Sequence, residues 1–169
     1  MNDKLSLSLI DNSFDYLESA IKYANGTENR DWKYALLNLA SAIELMMKAV
    51  LEQEHWSLLF ETIDNASKEA LTQGDFKSVN FVKAVERIKC IVGVNFSPTE
   101  NKYLEKIRTK RNKITHFSAE LHIEEVKSIV AKGIGLFIKL YRQAVTELNP
   151  NQIADYFINA NYLCLIFYN

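Results

Sequence analysis

Arg111 and His116 are the residues of this chain best suited to chemistry on a phosphodiester. Imidazole takes and returns a proton near neutral pH without help from a metal, and a guanidinium offers planar donors that grip two phosphate oxygens at once. RNA brings its own nucleophile. A base that removes the 2′-hydroxyl proton lets that oxygen attack the adjacent phosphate, and the anionic transition state then needs a fixed cation. Between Lys106 and Lys113 five of eight residues are basic, in a chain whose net charge is -1. Lys106, Arg108, Lys110 and Lys113 are therefore candidate RNA-phosphate contacts beside the pair. The competing reading of the run is a solvated helix face whose lysine stems cover apolar neighbours, and that of His116 is a capping or surface histidine.

Spacing sets a geometric condition on this chemistry. Five steps along an unbroken helix put Arg111 and His116 about 140° apart. The sequence therefore predicts a helix that ends or bends between them, or a second subunit that completes the site. Thr115, β-branched and close to Ser118, marks the expected ending.

The elements that must position these residues read as helices. Ile10, Phe14, Leu17, Ile21 and Ala24 recur at helical intervals from Leu7 to Ala24, with Asn25-Gly26 as a stop. Asp31 is the expected N-cap of a second helix reaching about Gln53, with a wide stripe of Leu36, Leu37, Ala40, Ile43, Met47, Val50 and Leu51. Leu59, Ile63, Ala66 and Ala70 predict a third helix before Gly74, and Phe81, Val82, Val85 and Ile88 a shorter fourth. Val92 to Phe96 reads as connection, since one isolated strand has no partner for its backbone. Ser97-Pro98-Thr99-Glu100 is a full capping box with proline at the first helical position, so the helix carrying the basic run begins near Pro98. Ser118 or a neighbour is the expected cap of a last long helix reaching Asn149-Pro150. The fold class is all-α, an antiparallel bundle of five or six helices. Length favours one domain over 1–169 with its core at about 7–148, and residues 150–169 as a packing or interface segment.

Composition narrows the remaining classes. Cys90 and Cys164 lack ligand or disulfide-framework spacing, which predicts a reducing cytoplasm and no metal. The apolar run Tyr162–Tyr168 is shorter than a bilayer helix, so no membrane partner is expected. No Gly-rich phosphate loop, HExxH or GxSxG pattern occurs, and no cofactor is expected. His122 and His55 read as surface or helix-end residues. Tyr103, Phe117, Tyr156, Phe157 and Tyr162 could stack on bases but fit core positions as well.

Arg111-Asn112-Lys113-Ile114-Thr115-His116 resembles the Arg-polar-x-x-x-His motif of HEPN domains. Ala42-Ile43-Glu44-Leu45-Met46-Met47-Lys48-Ala49-Val50-Leu51 is similar to the Ala-x-Glu-x-x-x-Lys-Ala-x-Leu stretch of that family's early core helix. The resemblance implies a dimeric, metal-independent endoribonuclease, a toxin or antiphage effector acting on tRNA, mRNA or other cellular RNA. It assigns proton transfer to His116, phosphate and transition-state contact to Arg111, and positioning to Asn112. Glu44 would support Arg111, or pair with Lys48 as a surface i,i+4 contact. An antitoxin or nucleotidyltransferase partner is implied too. Ser118, however, stands where some of these toxins carry the tyrosine that a nucleotidyltransferase modifies, which puts that regulation in doubt. The alternative within the same fold is an inactive module for dimerisation or nucleotide binding.

Overall fold

A computed structural model describes residues 5–118 and 120–144. Six α-helices make up the described chain: α1 (Leu9–Ala24), α2 (Asp31–Glu54), α3 (Lys68–Gln73), α4 (Phe81–Arg87), α5 (Pro98–His116) and α6 (Ile123–Ala144). The chain is all-α, with one isolated bridge between Phe60 and Ser78 and no strand among the described residues.

Local chemistry accounts for most helix ends. Ser8 and Asp11 form a reciprocal capping box at α1, where the sequence reading began the helix two residues early. At α5 the predicted box is formed: Ser97 Oγ accepts from Glu100 N, and Glu100 Oε2 accepts from Ser97 N at 2.6 Å. Asp31 is the first residue of α2 rather than its cap, and its carboxylate accepts the backbone N–H of Glu28 at 3.0 Å. The predicted cap at Ser118 is displaced as well. α6 starts at Ile123, where the His122 carbonyl accepts from Val126 N, so His122 is an exposed helix-end residue. The Asn149-Pro150 stop, residues 150–169 and Cys164 lie outside the described residues.

The predicted third helix is the largest departure. Its residues form 3-10 turns at Trp56–Leu59 and Ile63–Asn65, then the short α3 ending at Gly74 in the left-handed conformation. The backbone groups of residues 58–61 have other partners. Arg87 donates to the carbonyls of Leu58, Phe60 and Glu61, while Leu59 O and Glu61 N pair with Val79 N and Lys77 O. These tertiary bonds replace the i→i−4 ladder that the periodicity suggested. Beyond α4 a π turn, Ile88–Val92, closes on Gly93 with φ +80°, so the connection to α5 begins at Gly93.

α2 lies at the centre. It is long and apolar enough to cross a bilayer, with mean hydropathy 1.4, yet 61% of that stretch is buried inside the fold, which is the environment an all-round apolar helix requires. α1 folds back on α2 through a short loop and α6 packs across both. Phe14 meets Phe137 and Tyr141 edge-on at 5.2 and 5.0 Å between ring centroids. α5 runs antiparallel to α6, since Glu100, Tyr103 and Lys106 meet Lys139, Ser128 and Glu125 in turn.

α6 packs closely on this core at Gly133. A Cβ there would lie 2.5 Å from Leu39 Cδ2 and 3.2 Å from Ile107 Cδ1, and both of those side chains are fully buried. Gly133→Ala is expected to cost about 1–2 kcal/mol, since overpacking outweighs the helix propensity gained. Chemical denaturation checks this, and a stabilised variant would mean that α6 shifts freely.

Candidate functional site

α5 positions the whole basic run, and its pattern explains where each side chain goes. Leu104, Ile107 and Ile114 form its inward stripe, at intervals of three and seven. Arg111 occupies the same stripe, where an apolar residue would ordinarily sit, and so it points toward α2. A cation there needs an acceptor. Glu44 supplies it: Oε2 accepts from Arg111 Nη2 at 2.7 Å, and Oε1 accepts from Lys48 Nζ at 3.1 Å. The two partners weighed for Glu44 in the sequence are thus both taken at once. Lys48 also donates to Ser78 Oγ at 3.2 Å, which ties α2 to the segment before α4.

Asn112 Oδ1 accepts from Arg111 Nη1 at 3.1 Å. Arg111 therefore spends one N–H on Glu44 and one on Asn112, and its remaining donors are available to a ligand, with the side chain 33% exposed. Thr115 Oγ1 donates to the Arg111 carbonyl at 2.7 Å. That bond is compatible with an intact helix, and α5 continues through it to His116.

The helix does not end between Arg111 and His116: α5 runs unbroken from Pro98 to His116. Phe117, in extended conformation, is the first residue outside α5. His116 lies on the face away from the core, exposed, and its one ring contact among the described residues is an edge-on approach to Phe117 at 6.4 Å. Within one chain the structure brings together Arg111, Asn112 and Glu44 and leaves His116 apart. Phe117 is 73% exposed, whereas Tyr103 is half-buried and bonded to Ser128. Tyr156, Phe157 and Tyr162 lie outside the described residues.

The basic row is largely compensated. Lys106 and Lys110 both pair with Glu125 of α6, at 3.2 and 2.7 Å. Arg108 makes a two-pronged contact with Glu105 at 2.6 and 3.1 Å. Lys113 is exposed and has no ion-pair partner among the described residues. The hydrogen bonds from Lys110 and then Lys106 hold the Glu125 carboxyl below the ordinary carboxylate value, against burial. At the other end of α5 burial pushes Glu100 up, but its bonds from Lys139 and Ser97 together bring it below that value.

Glu100 makes a pH prediction. Because folding depresses this carboxyl, its contribution is full above its ordinary value of about 4.5 and is lost as pH falls through the lower folded value. Glu100→Gln is expected to lower the denaturant midpoint at neutral pH and to match wild type in strongly acidic buffer. An equal deficit at both would exclude the charge as its origin.

Arg108, Arg111 and Asn112 face Phe81, Val82 and Glu86 across a cleft of about 590 Å³ between α5 and α4. No sequence signal marks the α4 wall, since no spacing relates it to α5. His55 is a helix-end residue, its Nδ1 accepting the Ser57 N–H where the 3-10 turn begins. Among the described residues no three His, Cys, Asp or Glu side chains converge as a metal-binding group. Fold and site together define an all-helical bundle with a half-buried Arg-Glu-Lys cluster and an exposed histidine at a helix end. No family model, curated protein or solved structure matches the chain.

Proposed function

We propose that this chain is a HEPN-type, metal-independent endoribonuclease of the cytoplasm that works as a homodimer, as a toxin or antiphage effector. The observation that carries the reading is the division of labour on α5. Arg111 is oriented by Glu44 and Asn112 with donors to spare, while His116 stands unhindered at the exposed helix end. One chain then supplies an oriented phosphate-binding group and a free proton-transfer group that cannot reach the same phosphate along a straight helix. A two-fold mate removes that obstacle, because an isologous contact presents the His116 of one copy to the Arg111 of the other. His116 would take the 2′-hydroxyl proton, the 2′-oxygen would bond to phosphorus as the bond to the 5′-oxygen breaks, Arg111 would bind the phosphate as its charge develops, and the products would be a 2′,3′-cyclic phosphate and a 5′-hydroxyl protonated by water.

Mixing two inactive variants tests the shared site. Arg111→Ala and His116→Ala, each without activity alone, are expected on mixing to recover about a quarter of wild-type cleavage, since half the dimers are mixed and each has one intact site. No recovery after verified subunit exchange would refute a site shared in this way. A second reading has its own support: Glu125 and Glu105 neutralise most of the basic row, as expected of an inactive dimerisation or nucleotide-binding module. For that module neither variant changes a measurable RNA-cleaving activity.

A further inference from the structure

The cleft between α4 and α5 carries more than phosphate-binding groups. Its two arginines are each paired with an acid, Arg111 with Glu44 and Arg108 with Glu105, and neither pairing uses all the guanidinium N–H donors. Glu86 borders the same cleft from α4, is exposed, and has no partner among the described residues. Asn112 uses Oδ1 to accept from Arg111, and its Nδ2 donors have no partner among the described residues. Phe81 and Val82 add apolar surface beside them.

An unpaired carboxylate repels a phosphate, so RNA entering this cleft loses affinity unless the carboxylate receives hydrogen-bond donors. Among the RNA bases, guanine presents two adjacent donors, N1–H and N2–H, that match the two oxygens of a carboxylate. Its O6 lies next to them as an acceptor for an amide N–H. We infer that the cleft takes a guanine base of bound RNA. Glu86 accepts from N1–H and N2–H, Asn112 Nδ2 donates to O6, and Arg108 and Arg111 hold the neighbouring phosphates. This rests on the ribonuclease reading for RNA as the ligand, and it adds to that reading a base preference at the same site.

Calorimetric titration of the full chain with GMP, AMP, CMP and UMP tests it, followed by uncleavable 2′-O-methyl RNA hexamers carrying one guanine or one adenine. GMP is expected to bind about ten- to a hundredfold more tightly than AMP, and E86Q to abolish that preference while AMP binding is kept. E86Q changes an exposed residue, and a melting curve that matches wild type checks that it is folded. Equal binding of the four nucleotides by wild type, or an undiminished guanine preference in E86Q, overturns the inference. Discrimination between mononucleotides without discrimination between hexamers overturns RNA as the source of the base. Cleavage of RNA in chelator by the same preparation separates the two readings. Cleavage without guanine preference removes the base subsite alone, and guanine preference without cleavage removes the ribonuclease.

Discussion

Replacing His116 by alanine is expected to lower RNA cleavage by about two to four orders of magnitude in the presence of a metal chelator, with the melting temperature unchanged. The size follows from the role: a positioned proton acceptor acts in the transition state, and water replaces it poorly. The unchanged stability follows from the surroundings. His116 is exposed at the last turn of α5 and, among the described residues, makes no hydrogen bond and meets only the edge of Phe117. Truncation there removes almost no buried surface. The outcome that would sink the assignment is cleavage by His116→Ala at the wild-type rate. A loss accompanied by unfolding would point to a structural role that these contacts do not provide.

The second large effect belongs to Glu44. Its carboxylate holds Arg111 at 2.7 Å and Lys48 at 3.1 Å, with the side chains 21%, 33% and 15% exposed. Glu44→Ala leaves two partly buried cations without the carboxylate they share, each keeping one neutral acceptor, Asn112 for Arg111 and Ser78 for Lys48. The expected cost is about 1–2 kcal/mol, below that of a fully buried pair because solvent reaches the site. That lowers the melting temperature by about 2–8 °C in a chain of this size. Cleavage is expected to fall further, about ten- to a hundredfold, because Arg111 loses the contact that aims it. Arg111→Ala made in the Glu44→Ala background should cost less stability than in wild type, since the pair is already broken. Additive losses would show that the two side chains are not coupled. A drop in stability with no cleavage to lose would favour the inactive module.

Much of the site was legible because it depends on short-range rules. The capping box at Ser97 fixed where α5 begins, and the i,i+4 spacing of Glu44 and Lys48 fixed their contact. Arg111 carried a further signal. It interrupts the stripe of Leu104, Ile107 and Ile114, and a cation in an inward stripe requires an acid on the facing helix. The ending expected near Thr115 was wrong for a local reason too. Its hydroxyl bonds back to the Arg111 carbonyl, which a continuing helix accommodates.

The sequence by itself determined the helical class, the C-terminal end of α1 and the start of α5, because these follow from apolar periodicity, from the Asn25-Gly26 stop and from a serine that caps its own helix. Only the tertiary structure decided that residues 56–66 give up a helix, since their backbone groups are taken by Arg87 and residues 77–79 from afar. It also decided that Glu125, across the α5–α6 interface, neutralises Lys106 and Lys110, and that Glu86 of α4 faces the cleft beside Arg111. Those pairings join residues far apart in the chain, and they arise from how helices cross, which no spacing within one helix encodes.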